Sequence, residues 1–474
     1  MRRIAAVLAL AAGVSGCAVG PDYKRPVLPA PEGFYGSGGP APEASLADAK
    51  WWDVFSDPAL RSLIDEALRN GYDVRLAAAR VEEARARYGI ARSQYFPEAG
   101  YSAGVSRAHN GVYQTPADVT GNSINVSGLL SWEIDVWGRV RRLNEQARAQ
   151  YLASEEGRRG VELSLVADVA TAYFDLRALD AELEIARRTR DTFQDTYDLF
   201  GRRLAGGAAS ALETARAEVL LANASALIPG LEQRIVEREN QITLLLGRPP
   251  GPVPRGSSLT EQALPPAVPP GLPSALLLKR PDVRAAEQEL IAANADIGVA
   301  RAAFYPTLSL TGLLGGVSPN LNDLFAAGRT WSIGAGLLGP LFAGGSLIAQ
   351  ERVARARFEA ALATYEQTFT RALGEVSTDL VAIEKLAAEE AERTRAVNAA
   401  RESVRLATRR YESGFSAYFE VLDALQQLLP AETALVVTRR DRLAALASFY
   451  RALGGGWSDV PPPPPSPPPG GAEK

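Results

Sequence analysis

Apolar side chains recur between residues 138 and 204 in alternating steps of four and three. From Leu165 they fall at Val169, Ala172, Leu176, Leu179, Leu183, Ala186, Phe193, Tyr197, Phe200 and Leu204, and only Arg190 breaks the series. A 3.5-residue period predicts a coiled-coil seam with left-handed supercoiling against neighbouring helices. No proline interrupts the stretch, and a helix of that length extends on the order of 100 Å. The rhythm just before it differs. Ile124, Val126, Leu130, Trp132, Ile134 and Val136 alternate with Asn125, Ser127, Ser131, Glu133 and Asp135, which predicts a strand with one apolar and one polar face. Tyr101, Ala103 and Val105 against Ser102, Gly104 and Ser106 form a weaker partner, and two further strands, rich in Gly and Leu, are predicted over 308–317 and 331–341.

These patterns occur twice. Asp73-Val74-Arg75 opens a helical stretch that ends at Phe96-Pro97, and Asp282-Val283-Arg284 opens one that ends at Tyr305-Pro306, an offset of 209. Gly207 and Glu213 match Gly414 and Glu420, and Leu246-Gly247 matches Leu453-Gly454, at an offset of 207. Repetition over this length predicts two equivalent structural units. The chain is expected to divide into a signal peptide (1–16), an N-terminal linker (17–50), repeat 1 (51–250), a Pro-rich connector (251–273), repeat 2 (274–457) and a Pro-rich tail (458–474). Repeat 1 holds strands at about 98–107 and 122–136 and long helices at about 138–204 and 211–246. Repeat 2 holds a helix at about 281–303, strands at about 307–317 and 330–341, and long helices at about 346–411 and 417–453.

Each long helix meets a glycine-bearing turn, at Gly206-Gly207 and at Gly414, and returns as a second helix. Glycine suits such a stop because it tolerates positive φ. Pro229 and Pro430 fall inside the return helices and are expected to bend or interrupt them.

The strands are about 10 residues long, the length of a membrane-spanning strand. Trp132, Trp137 and Trp331 lie in or beside them, as in the aromatic girdles of membrane barrels. Only a closed barrel satisfies its backbone in lipid, and four strands cannot close, since about 8 is the usual minimum. Several chains must then share one barrel, and three would supply 12 strands.

Net charge is −4, which carries no nucleic-acid footprint. The chain has one cysteine, Cys17, and one histidine, His109, placed in a polar loop. Those counts exclude a disulfide framework within the chain, His-pair metal sites and histidine triads. No nucleophile elbow or phosphate loop is present, so no enzyme, cofactor or metal is expected. Met1-Arg2-Arg3, the apolar run Ile4–Ala12 and Val14-Ser15-Gly16-Cys17 read as a signal peptide that resembles a bacterial lipobox, with Cys17 the lipidation site. Ala18 in the next position favours the outer membrane by that resemblance.

Gly16-Cys17-Ala18-Val19-Gly20-Pro21-Asp22-Tyr23, Trp51-Trp52, Phe55-Ser56-Asp57-Pro58 with Leu60, Glu133-Ile134-Asp135-Val136-Trp137-Gly138-Arg139, Arg280-Pro281-Asp282-Val283 and Ala292-Ala293-Asn294-Ala295-Asp296-Ile297-Gly298 occur in that order. Together they resemble OprM-type outer-membrane efflux lipoproteins of the wider TolC family, over about residues 13–457. The resemblance implies a mainly α fold with a β-barrel part. It implies a homotrimer with a 12-stranded transmembrane barrel, four strands per chain, continued by a long periplasmic α-helical coiled-coil barrel. It also implies a passive exit duct in outer-membrane lipid, coupled through a periplasmic adaptor (a membrane fusion protein) to an inner-membrane resistance-nodulation-division pump.

By the same resemblance, Glu420 and Asp423 occupy the place of the family's periplasmic constriction, and Tyr411 that of a gate tyrosine. Ser416 stands where the family carries a basic residue. The repeat register pairs Glu213 with Glu420 and Arg216 with Asp423, so Arg216, Arg202 or Arg203 is expected to pair with the two acids. Arg203, Leu204, Gly207, Ser210, Arg410 and Gly414 are expected to meet the adaptor. The competing readings are a lipid-anchored periplasmic coiled-coil scaffold without a pore, and a duct for metal ions or secreted protein.

Overall fold

The computed structural model describes residues 18–36, 51–110, 119–262, 273 and 279–455. Cys17, the signal segment and the Pro-rich tail lie outside them. Among the described residues the chain is mainly helical with one four-stranded sheet. Its elements are α1 (Trp51–Val54), α2 (Pro58–Asn70), α3 (Tyr72–Ser93), β1 (Glu98–Asn110), β2 (Val119–Ile134), α4 (Arg139–Ala205), α5 (Ala211–Leu245), α6 (Pro281–Ala302), β3 (Thr307–Ser318), a 3-10 turn (Leu321–Asp323), β4 (Arg329–Leu338), α7 (Ser346–Glu412) and α8 (Phe419–Ala452). No described helix is long and apolar enough to cross a membrane.

The chain forms two compact units, and each draws on both repeats. One contains the sheet with residues 79–156 and 285–367, and the N-terminal segment up to Leu28. The strands pair antiparallel in the order β1-β2-β3-β4, so β2–β3 joins the two repeats and β1 and β4 are the edges. Residues paired across a sheet share a face. The row Tyr101, Gly128, Leu314, Trp331 therefore lies on one side, as does the row Ala99, Leu130, Gly312, Ile333. The next row, Ser102, Ser127, Gly315 and Thr330, lies on the other. The apolar side is open: Tyr101 is 89% exposed, Ile333 83% and Trp331 72%, whereas Ser127 on the polar side is 8% exposed. This inverts the ordinary soluble arrangement, since monomers rarely leave contiguous apolar patches beyond a few hundred Å².

The strand β1 extends further than the alternation of Tyr101 to Ser106 suggests. His109 is part of it, opposite Thr120, with its Nδ1 2.9 Å from Thr120 Oγ1. It is thus a strand residue rather than a loop residue, because pairing with β2 carries the ladder out to Val119.

Below the sheet, Trp137 stacks on Tyr305 at 4.7 Å and donates to Pro306 O at 2.8 Å, while Trp132 Nε1 donates to Tyr95 O at 3.1 Å. Gly138 at φ 80° turns the chain into α4, where a Cβ would lie 2.8 Å from Ala18 Cα. The N-terminal segment runs along α6: Val19 N donates to Trp137 O, Asn294 to Pro21 O, and Arg25 grips the buried Glu287 carboxylate at 2.5 and 2.7 Å.

The second unit holds the helical core. Leu165, Val169, Ala172, Leu176, Leu179, Ala186, Phe193 and Phe200 of the α4 seam are all buried, and Leu179 and Ala186 pack on Leu231 of α5. Asp57 caps α2 through Ala59 N and Leu60 N. The same carboxylate accepts from Tyr173 at 2.9 Å, Ser257 N at 3.0 Å and Gln262 at 2.7 Å, tying the segment before α2 to α4 and the connector. The repeat recurs in backbone detail. Gly247 (φ 73°) and Gly454 (φ 92°) end equivalent helices, and a Cβ on either would strike the carbonyl of Asn70 or Lys279.

Pro229 and Pro430 do not interrupt their helices: α5 and α8 run continuously through them. Both prolines are exposed.

Candidate functional site

The turn between α4 and α5 and the turn between α7 and α8 are built by the same hydrogen bonds. Ala208 N donates to Arg203 O at 2.8 Å and Gly207 N to Leu204 O at 3.0 Å; Phe415 N donates to Arg410 O and Gly414 N to Tyr411 O, both at 2.9 Å. Each is a Schellman motif with glycine in the left-handed region, φ 71° at Gly207 and 76° at Gly414.

The side chains then diverge. Ser210 closes a capping box with Glu213: Ser210 N donates to Glu213 Oε2 at 2.8 Å and Glu213 N to Ser210 Oγ at 3.3 Å. The backbone and hydroxyl donors of Ser210 hold the Glu213 carboxyl below its ordinary pKa. The repeat-equivalent of Ser210 is Ala417, and α8 starts with no side-chain cap. Glu420, released from that duty, lies 3.4 Å from Arg410 Nε. Both side chains are about half exposed, 59% and 49%, so the pair is worth roughly 0–1 kcal/mol.

Arg203, the counterpart of Arg410, instead donates to Tyr411 Oη and places its guanidinium 5.4 Å from that ring's centroid. Tyr411 stacks edge-on against Tyr418 at 4.8 Å, and Tyr418 against Phe200 at 4.9 Å, with Tyr418 Oη 2.9 Å from Thr196 Oγ1. Burial raises the Tyr418 pKa, and the tyrosine stays a neutral hydrogen-bonding group. Asp423 accepts from Gln427 at 2.8 Å. Arg216 sits over the Phe419 ring at 5.7 Å. Arg216 and Asp423 line one cleft of about 400 Å³ with Val219, Leu220, Phe419 and Leu422.

Within the chain, then, neither acid takes the partner expected from Arg216, Arg202 or Arg203. Glu420 meets Arg410 and Asp423 meets Gln427. Leu204, Phe415 and Phe419 are exposed beside them. Tyr418 was not among the residues singled out from sequence, although an aromatic two places before Glu420 was its visible signal.

Farther along α8, the carboxylate of Glu432 is 6% exposed and accepts from Arg188 of α4 at 2.8 Å and from Arg401 of α7 at 2.7 Å. Its signal in the sequence is an acid on the otherwise apolar stripe Leu422, Leu425, Leu429, Val436.

The chain belongs to the outer membrane efflux protein family, whose model matches residues 63–248 and again residues 272–455. It is 36% identical over 459 residues to the solvent efflux pump outer membrane protein SrpC of Pseudomonas putida, covering 94% of this chain and 96% of that one. It is 36% identical over 464 residues to the outer membrane protein OprJ of Pseudomonas aeruginosa, covering 95% of each. The open state of the Neisseria gonorrhoeae MtrE outer membrane channel superposes with a TM-score of 0.83 at 33% identity, covering 93% of this chain and 98% of that channel.

Proposed function

We propose that three copies of this efflux protein join the edges of their sheets into one twelve-stranded barrel in the outer membrane. The helices continue the wall into the periplasm, and the whole is a passive exit duct for small molecules. One observation carries the reading. The register puts Tyr101, Leu130, Leu314, Trp331 and Ile333 on a single open apolar face, while neither sheet edge has a strand partner among the described residues. Lipid covers such a face, and other copies of the strands complete such edges.

Cys17 carries the lipid anchor in this reading. Val19 is bonded to Trp137 at the sheet-to-helix junction, where Trp137 stacks on Tyr305. The hairpin turns meet a periplasmic adaptor through Arg203, Leu204, Gly207, Ser210, Arg410 and Gly414. An inner-membrane resistance-nodulation-division pump supplies the energy. Glu420, Asp423, Tyr411, Arg216 and Glu213 form the gate. Relatives named for solvent, toluene and antibiotic efflux favour small apolar or amphiphilic cargo.

The test is purification in detergent followed by reconstitution in planar bilayers. A trimer mass together with ion conductance is expected. A monomer, or a trimer that never conducts, sinks the proposal.

A further inference from the structure

The two sheet edges have a register that the chain's own repetition specifies. Moving repeat 1 onto repeat 2 adds 209 to a residue number in β1, as Phe96-Pro97 and Tyr305-Pro306 require. It adds 207 to a number in β2, as Gly138 and Gly345 require, which share φ values of 80° and 83°. Applied to the pair Glu98–Ser131, this rule yields Thr307–Leu338, which is the β3–β4 pair found there. The rule thus reproduces a register that did not enter it.

The β2–β3 pairing transforms in the same way. Gly128–Leu314 becomes Ala335 of one copy opposite Val105 of the next, and Leu130–Gly312 becomes Leu337 opposite Ala103. Trp132–Leu310 becomes Gly339 opposite Tyr101, and Ile134–Leu308 becomes Leu341 opposite Ala99. We propose that β4 of one copy pairs with β1 of the next in this register, with Ala335 opposite Val105. The proposal rests on the closed barrel of the preceding section and supplies its seam.

Two observations that do not depend on the repeat agree. The first is the face. Ala335 and Val105 both lie on the apolar side of their sheet, whereas a slip of one residue sets residues of one face against residues of the other throughout. The second is size. In the proposed register the pairs from Ala335 to Leu341 set a large residue against a small one, Leu341 with Ala99, Tyr101 with Gly339, Leu337 with Ala103 and Val105 with Ala335, while toward the other end Ile333 meets Arg107 and Trp331 meets His109. Slipping two residues one way puts Leu337 against Tyr101, and slipping two the other way puts Leu341 against Tyr101 and Leu337 against Val105. Both slips stack bulk on bulk and leave small residues facing each other. The register also gives Leu341, which stands fully exposed just past β4 in the single chain, a strand neighbour in Ala99.

Four cysteine substitutions, used in two combinations, test this in the full-length protein. The matched pairs are Val105→Cys with Ala335→Cys and Ala103→Cys with Leu337→Cys. The mismatched pairs exchange partners: Ala103→Cys with Ala335→Cys and Val105→Cys with Leu337→Cys. Directly opposite Cβ atoms lie about 4.5–5.5 Å apart and diagonal ones about 7–8 Å, and only the former suits a disulfide. Mild oxidation is expected to cross-link neighbouring copies on the order of tenfold more in the matched pairs than in the mismatched ones. Because the same four substitutions appear in both combinations, a folding defect cannot imitate that contrast. Stronger cross-linking in a mismatched pair, or none in any pair while the trimer persists by native mass, overturns the register and leaves the barrel standing. Loss of the trimer from the unsubstituted protein overturns the barrel itself.

Discussion

Arg410 pairs with Glu420 at 3.4 Å, while their repeat counterparts, Arg203 and Glu213, take other partners: Arg203 donates to Tyr411 and Glu213 caps its own helix at Ser210. The cause is one side chain. Ser210 occupies Glu213 in a capping box, and Ala417 offers Glu420 nothing comparable. Two turns with the same backbone thereby carry different chemistry.

Substituting Ala417→Ser is expected to recreate the capping box and draw Glu420 off Arg410. A cap is worth about 1 kcal/mol and an exposed ion pair no more than about that, so the exchange is feasible. The expected result is a higher single-channel conductance in planar bilayers, with Glu420→Gln plus Asp423→Asn moving it the same way. Unchanged conductance in both variants removes these acids from the gate.

At Asp57, burial pushes the carboxyl pKa up, but hydrogen bonds from Gln262, Tyr173, Ala59 and Leu60 more than offset it, so the folded pKa lies below the ordinary value. A depressed carboxyl contributes stability that is present above the unfolded pKa of about 3.9 and is lost as pH falls through the folded one. The Asp57→Asn variant is expected to be less stable by about 2 kcal/mol at neutral pH, because it turns a donor toward donors. It is also expected to lose less stability than the unsubstituted protein as the pH falls from 5 through the folded pKa. Thermal unfolding followed by circular dichroism across that range checks both; parallel acid limbs refute the assignment.

Glu432 is the buried member of its cluster, whereas the Arg188 and Arg401 side chains are 53% and 58% exposed. Removing the acid strands only solvated cations, but removing both arginines strands a buried anion. Glu432→Gln is therefore expected to cost about 1–2 kcal/mol and the Arg188→Ala, Arg401→Ala double variant about 3–5 kcal/mol. Equal losses in thermal midpoint contradict this ordering.

On the sheet, Ile333→Arg puts a charge on the apolar face and Ser332→Arg on the polar one. The first is expected to cost about 2–4 kcal/mol of assembly in lipid and the second close to nothing. The yield of trimer from outer-membrane extracts reads the difference. Comparable yields mean that Ile333 does not face lipid.

The α4 seam, the four strands, the turn glycines and the duplication were all legible in the sequence, because each is a short-range periodicity or a direct repetition. The tertiary structure decided what depends on contacts between distant segments. Alternation in β2 shows that one face is apolar, but only the register with β1, β3 and β4 shows that the apolar faces coincide and lie open. Pro229 and Pro430 read as bends or interruptions because proline removes a helix hydrogen bond, yet α5 and α8 continue through them. Glu420 and Asp423 stood out as acids, yet their partners Arg410 and Gln427 were settled by packing, not by the repeat. Charge and periodicity are properties of a segment, whereas a hydrogen bond needs two segments held about 3 Å apart, and only the folded chain supplies that distance.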